Sequence, residues 1–180
     1  RRAAFAELAA GQKVLQPACV YGSFSRQLAR YLGPRGELEV LDVAPIQVAS
    51  CRRKLRGIDH ARVRLADTAH PGNGFYDAVC CFFLLHELPD DYRHRVVNAL
   101  LERVPAGGKV VFVDYHRPHP AHPLKPVTRF IFRHLEPFAF GMWDHEIAGF
   151  ANNADDFDWS KETYFGSLFQ KVVARRRAAS

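Results

Sequence analysis

Short apolar runs alternate along this chain with stretches of helical length, an alternation that predicts an α/β domain with a mainly parallel sheet. Lys13 to Val20 reads as a first strand, followed by a turn at Tyr21-Gly22-Ser23 and a helix reaching about Leu32. Gly33-Pro34 stops that helix. Glu37 to Val43 forms a second strand closing on Asp42, and a helix runs from about Pro45 to Arg56. Val63 to Ala66, ending at Asp67, is a short third strand, and Pro71-Gly72-Asn73-Gly74 is turn chemistry. Tyr76 to Leu85 is the most apolar stretch and predicts a central strand buried on both faces. A helix from Asp90 to Val104 leads through Pro105-Ala106-Gly107-Gly108 into a fifth strand, Lys109 to Tyr115. Glu162 to Phe165 and Leu168 to Ala174, separated by Gly166-Ser167, predict a hairpin.

Between the fifth strand and the hairpin, four prolines (Pro118, Pro120, Pro123, Pro126) precede a helix-like run. Val127, Phe130, Ile131, Leu135 and Phe138 share one face at helical spacing, with Lys125, Arg129 and Arg133 on another. Two readings stand side by side. One is an ordinary amphipathic helix whose apolar face packs on the sheet. The other is a wall for an apolar substrate beside a basic, membrane-facing stripe.

Composition narrows the classes. A chain of 180 residues makes one domain with one sizeable core. No apolar run reaches the roughly 18 residues needed to span a bilayer. The chain starts without Met, so a trimmed N-terminus is expected, with covering helices absent. The four cysteines lack C-x-x-C spacing, which argues for buried thiols in a reducing compartment and against zinc. A net charge of +6 suits an acidic partner such as an anionic membrane surface. Arg175-Arg176-Arg177 supplies half of that excess and reads as a solvated end. The remaining basic residues are spread along the chain and no base-flipping motif is present, so no nucleic-acid partner is expected.

Ligands of parallel α/β sheets bind beyond the carboxyl ends of the strands, near the reversal in strand order. Polar residues recur at those predicted ends: Gln16 to Gly22, Asp42, Asp67-Thr68, Phe82 to Glu87, and Asp114 to His116. Asp42, about 20 residues beyond the first turn, stands where a carboxylate accepts both hydroxyls of a ribose.

With Pro105-x-Gly107-Gly108-Lys109, this order resembles the class I S-adenosylmethionine (SAM)-dependent methyltransferases, above all those acting on quinone rings. The resemblance implies a Rossmann-like fold, a mainly parallel seven-stranded sheet with a C-terminal antiparallel hairpin. It implies a cofactor site of Gln16, Ala18, Val20, Gly22, Asp42, Asp67, Thr68 and Phe83. Asp42 would hold the ribose, Asp67 would lie beside the adenine, and Gly22 would let the loop approach the methionine part. The Gly-rich turn that a dinucleotide pyrophosphate needs is missing.

Three departures from the acid-x-Gly-x-Gly-x-Gly motif go further: Gln16 replaces the acid, Ala18 the first glycine and Val20 the second. Combined with Leu84-Leu85-His86-Glu87-Leu88-Pro89, Val113-Asp114-Tyr115-His116-Arg117-Pro118 and Leu135-Glu136-Pro137-Phe138, they make the chain similar to the rhodoquinone biosynthesis family RquA. That resemblance implies conversion of ubiquinone to rhodoquinone, a ring methoxy group giving way to an amino group. SAM is then the amino donor and Mn²⁺ is required.

The residues bear on that chemistry. A carboxylate at position 16 would favour the ammonium form of the SAM amine, which has no lone pair for attack. Neutral Gln16 either helps present the amine or merely tolerates a displaced cofactor. Val20 adds bulk where backbone usually meets ligand. Tyr21, His86 and Tyr115 are the candidate catalytic residues: Tyr21 could stack on a quinone, and His86 or His116 titrates in the range of a general base. Asp114 and His116 alternate with Tyr115 at a strand end and, with the family requirement, are the expected metal ligands. His86 and Glu87 are expected to converge on them, with His119, His122 and Asp144-His145-Glu146 as further candidates. Two other functions compete: conventional methyl transfer to a quinone or small aromatic, and a non-catalytic SAM-binding scaffold. A quinone substrate predicts a peripheral protein on the cytoplasmic face of a membrane.

Overall fold

The computed structural model describes residues 2–134 and 136–178. Leu135, assigned above to an apolar helix face and a motif, lies outside them. Seven strands form one sheet: β1 (Lys13–Gln16), β2 (Glu37–Asp42), β3 (Ala61–Leu65), β4 (Ala78–Phe82), β5 (Lys109–Tyr115), β6 (Phe157–Tyr164) and β7 (Phe169–Arg176). Their order is β3-β2-β1-β4-β5-β7-β6. Strands β1 to β5 run parallel, while β7 inserts antiparallel between β5 and β6. The chain works outward from β1 to β3 and then returns to place β4 on the other side of β1. The carboxyl ends of β1 and β4 therefore flank the crevice where ligands bind in such sheets.

The helices are α1 (Arg2–Phe5), α2 (Phe24–Leu32), α3 (Pro45–Lys54), α4 (Asp90–Leu101), α5 (Lys125–His134) and α6 (Gly141–Asp144). Side chains alternate across each strand, so the sheet has a core on both faces. On one face Leu15, Leu41, Val79, Val110 and Phe112 pack against Val96, Val97 and Leu100 of α4. On the other, Val14, Val40, Ala78, Cys80 and Val111 meet Phe24, Leu28 and Leu32 of α2, spaced i, i+4, i+8. Truncating a fully buried leucine such as Leu28 to alanine costs about 2–5 kcal/mol. Gly36 is required by close approach: a Cβ there would stand 2.9 Å from both Leu32 Cβ and Gln12 O.

Several predicted boundaries move, each for a physical reason. β1 stops at Gln16 rather than Val20 because Pro17 brings no N–H to the ladder. β4 spans Ala78–Phe82 rather than Tyr76 to Leu85, since Phe83 turns the chain with φ of 53° and Leu85–Glu87 forms a 3₁₀ turn. The hairpin strands begin or end beyond the expected limits, pairing Phe157 with Arg176. As a result the basic tail is not a free solvated end: Arg175 and Arg176 belong to β7, and Arg177 Nε donates to Asp158 Oδ1 at 2.7 Å. All four cysteines are free; Cys51, Cys80 and Cys81 are buried as expected, but Cys19 is half-exposed.

The largest correction concerns α5. Its buried residues are Thr128 and Phe132, whereas Val127, Phe130, Ile131 and Phe138 face outward. Phe132 anchors the helix inward, its ring 4.9 Å from Tyr115 and 5.3 Å from Trp143. The spacing groups apolar residues on one face, but the domain is met by neither that face nor the basic one; Thr128 and Phe132, between them, turn inward. No helix among the described residues is long and apolar enough to cross a membrane.

Candidate functional site

The loop leaving β1 is built around Asp42 at the end of β2. Cys19 N donates to Asp42 Oδ2 and Ala44 N to Asp42 Oδ1, both at 2.9 Å, which pins the loop to the start of α3. Thr68 Oγ1 donates to Pro17 O and ties the same loop to the segment after β3. A cleft of about 770 Å³ opens between this loop and the turn after β4. Ala18, Val20, Tyr21, Asp42, Asp67 and Thr68 line one side; Phe83, Leu84, His86, Glu87 and Glu136 line the other. Eight of the predicted site residues thus meet in one place.

Five do not line it: Gln16, Gly22, Asp114, Tyr115 and His116. Gln16 is fully buried beneath the loop, its Nε2 donating to Ala18 O at 2.6 Å and Ser25 Oγ at 2.9 Å. Gln16 Oε1 has no partner among the described residues. Gly22 holds φ of 73° where the loop enters α2, and a Cβ there would meet nothing within 4 Å. Backbone conformation, not close contact, demands glycine at that position. Tyr21 is exposed at the rim, where Gln47 Nε2 donates to its hydroxyl at 3.3 Å.

Asp67 accepts hydrogen bonds from the Tyr92 hydroxyl and from Ala69 N. Burial works to raise its pKa, but these bonds and His70 outweigh it, holding the carboxyl below its usual range. Phe83 is an aromatic residue in left-handed backbone, a conformation that costs about 1–3 kcal/mol and persists only when packing enforces it. Here the ring is enclosed by Phe82, His86, Tyr115 and Phe169, at centroid distances of 4.9, 5.9, 5.4 and 5.7 Å. The strained turn carries the chain from β4 into the 3₁₀ segment that presents His86.

At the core of the site is a dyad. Asp114, 1% exposed at the end of β5, places Oδ1 2.8 Å from His86 Nδ1. The carboxylate is an acceptor, so Nδ1 carries the hydrogen and Nε2 is left as the available lone pair. Asp114 also accepts from Tyr115 N (2.7 Å), Leu85 N (2.8 Å) and His86 N (3.4 Å). Desolvation pulls the His86 pKa down, but the Asp114 hydrogen bond and the surrounding carboxylates outweigh it and raise it above the ordinary value. Burial, with the nearby Asp114 and Glu136 charges, raises Glu87. Tyr115 packs edge-on to His86 at 4.7 Å and is likewise raised by burial, then by Glu136.

The expected metal pair does not form. Asp114 spends its oxygens on four N–H groups, and His116 points elsewhere. His116 Nδ1 lies 3.0 Å from Ser167 O, and its Nε2 lies 2.9 Å from Lys161 Nζ, itself paired to Glu146 at 2.7 Å. Alternation would put Asp114 and His116 on one face only if the strand continued, and β5 ends at Tyr115. Asp144 is paired to Arg117, and His122 Nε2 lies 3.0 Å from Phe165 O. Among the described residues no group of three or more His, Cys, Asp or Glu is poised to hold an ion. The side chains present do not fit the implied Mn²⁺ site.

Two residues to which the sequence assigned no site role matter here: Arg93, and Glu136, which stood only within a motif. Arg93 is fully buried and donates to Leu85 O at 2.9 Å, Leu88 O at 2.8 Å and Phe138 O at 2.9 Å. It thereby ties the His86 turn to the segment roofing the cleft. The signal was a charged residue on the apolar side of α4. Glu136 enters the cleft from that roof, and its Oε2 is buried without a partner among the described residues.

The family model described as a methyltransferase domain matches residues 14–117. The chain is 26% identical over 157 residues to the demethylmenaquinone methyltransferase of Halalkalibacterium halodurans, covering 85% of this chain and 60% of that protein. It is 28% identical over 155 residues to the ubiquinone biosynthesis O-methyltransferase of Erwinia tasmaniensis, covering 85% and 61%. The chain thus spans about three-fifths of the length of these relatives. In fold it is similar to the N-methyltransferase NodS of Bradyrhizobium japonicum, solved in complex with S-adenosyl-L-homocysteine. The TM-score is 0.65 at 14% identity, over 98% of this chain and 83% of that one. With the switch-point cleft and its strand-end carboxylates, the match over residues 14–117 shows that the chain belongs to the methyltransferase domain family, within the class I SAM-dependent methyltransferase superfamily.

Proposed function

We propose that this protein transfers a methyl group from SAM to a hydroxyl oxygen on the ring of a quinone precursor, with His86 as general base. The observation that carries the reading is the His86–Asp114 dyad opening on the cleft. The names of the two relatives supply the substrate class. As each spans more than this chain, the activity of the whole protein is proposed on the same footing.

The cleft suits SAM. Each Asp42 oxygen accepts one backbone N–H and keeps a second lone pair, which matches the two hydroxyls of a ribose. When bound, SAM supplies a methyl group made electrophilic by its sulfonium. The protein must then turn the acceptor hydroxyl into a better nucleophile. His86 Nε2 accepts the hydroxyl proton, Asp114 keeps Nδ1–H in the required tautomer, and the Asp114 charge stabilises the imidazolium that results. Such a base is worth about 10²–10⁴ in rate. Phe83 and Leu84 keep the ring's surroundings apolar, which strengthens these electrostatic interactions.

A second reading, amino transfer from SAM to ubiquinone giving rhodoquinone, is favoured by the rebuilt loop. Gln16 leaves no carboxylate at the base of the loop to hold the amine as an ammonium, and Val20 lines the cleft in place of glycine. No step is drawn through Mn²⁺, because the side chains do not fit it.

One reaction tests both. SAM carrying ¹³C in its methyl and ¹⁵N in its amino group is incubated with a short-tailed ubiquinone and its hydroxylated precursor, with and without Mn²⁺. The expected result is ¹³C in a methyl ether, lost in His86→Gln. ¹⁵N in an amino-quinone establishes the second reading instead. Neither label in product, with SAM still bound, supports the scaffold.

A further inference from the structure

Helix α5 wears its amphipathic pattern inside out. Thr128 and Phe132 face the domain, while the outward face carries Phe130, Val127 and Ile131, 65%, 54% and 36% exposed. Leu124 just ahead of the helix and Phe138 just beyond it extend this ridge into solvent. The tip of the hairpin adds exposed Phe165, held near the helix start by His122: its Nε2 lies 3.0 Å from Phe165 O, and its Nδ1 accepts from Leu124 N at 3.2 Å. Contiguous apolar surface of this kind marks an interaction site, not a solvated face.

The charges beside the ridge identify the partner. Arg129 and Arg133, one helical turn apart and exposed, flank it and make no ion pair among the described residues. Other exposed arginines, among them Arg26, Arg30 and Arg53, also stand without an ion pair among the described residues, but Arg129 and Arg133 differ in standing on the helix that carries the apolar ridge. An aromatic ridge edged by free guanidinium groups matches the boundary of an anionic bilayer: rings enter the acyl region while the arginine heads stay at headgroup level. At ten residues the helix is too short to span, so the fit is to lying in the interface.

We propose that the outer face of α5, with Leu124, Phe138 and the Phe165 tip, docks this protein on an anionic lipid surface. The same helix packs Phe132 against Tyr115, and the segment following it brings Glu136 into the cleft. Docking through the outer face therefore sets the mouth of the cleft beside the lipid. The inference concerns binding alone and stands whichever group the cleft transfers.

The test is flotation of the whole chain with vesicles of phosphatidylcholine alone, or with a third of the lipid as phosphatidylglycerol. Binding to the anionic vesicles should be tighter by about ten- to thirty-fold, as expected for two arginines near the surface, and should weaken with salt. The V127D/F130D variant should lose binding to both vesicles. R129E/R133E should lose only the anionic preference. Both alter exposed side chains, and unchanged thermal melts verify that the fold is kept. Absence of flotation by the wild type, or equal flotation by all three proteins, overturns the proposal. So does loss of a dimer in V127D/F130D by analytical ultracentrifugation without vesicle binding, which makes this face a contact between copies.

Discussion

Two buried carboxylates in one sheet behave in opposite ways, and their partners explain why. Glu39 in β2 accepts from Arg62 Nε at 2.9 Å, Arg64 Nε at 2.7 Å and the Tyr76 hydroxyl at 3.0 Å. Burial works against its charge, but the arginines and Tyr76 outweigh it and hold its pKa below the usual range. Guanidinium groups do not release protons, so this cluster is locked in one state. Asp114 in β5 faces an imidazole instead, 2.8 Å away, a group that can gain and lose a proton and whose pKa this contact helps to raise. Burying a carboxylate is costly in both places. A permanent cation turns that cost into structure, whereas a titratable one makes a site able to move a proton.

The contrast breaks most sharply through the dyad. Asp114→Asn and His86→Gln should each lower methyl transfer by about 10²–10⁴ while leaving SAM binding intact. Initial rates beside calorimetric SAM binding check this, and a rate above one-tenth of wild type would sink the role of the dyad. Glu39→Gln should do the reverse: keep the rate and lower stability by about 1–3 kcal/mol in denaturant melts. That is less than the usual loss for a broken buried pair, because Arg62 and Arg64, 64% and 45% exposed, can turn to water.

The pH dependence sharpens the comparison, since the two groups shift in opposite directions. The Glu39 pKa is depressed, so its contribution is present above its ordinary value of 4.5 and is lost as pH falls through the folded value. His86 is raised, so its contribution is full below its ordinary value of 6.5 and is lost as pH rises through the folded value. Thermal melts across pH should therefore show Glu39→Gln flattening the limb below pH 4.5 and His86→Gln flattening the limb above pH 6.5. The rate of a reaction using neutral His86 should climb through that same upper window. The smallest effect is Tyr76→Phe, about 1 kcal/mol for one hydrogen bond to Glu39. A loss beyond about 3 kcal/mol would mean that Tyr76, rather than the arginines, secures the carboxylate.

Legibility varied with how local the deciding physics is. β5 was readable to its ends because Val110, Val111, Phe112 and Val113 form a branched and aromatic run bounded by Gly108. Asp42 was readable because strand-end position alone places it at the crevice. Strand β4 was overrun because nothing in Phe82-Phe83-Leu84-Leu85 announces a left-handed phenylalanine; the enclosing rings of Tyr115 and Phe169 come from strands 32 and 86 residues away. Convergence of His86 on Asp114 followed from adjacent strands, but His116 was lost to the hairpin through Ser167 and Lys161. For α5 the spacing gave an apolar face without a direction, and Phe132 reversed it.

Apolar periodicity and turn residues, both local properties of the chain, were enough to predict an α/β domain with a mainly parallel sheet and polar residues at its strand ends. Three things needed the tertiary structure: that Asp114 holds His86 and not His116, that Gln16 braces the loop from below, and that α5 turns its greasy face outward. Each depends on which of several chemically acceptable partners the folded chain brings within reach of a side chain. That competition is settled by packing across the sheet, between residues far apart in the chain.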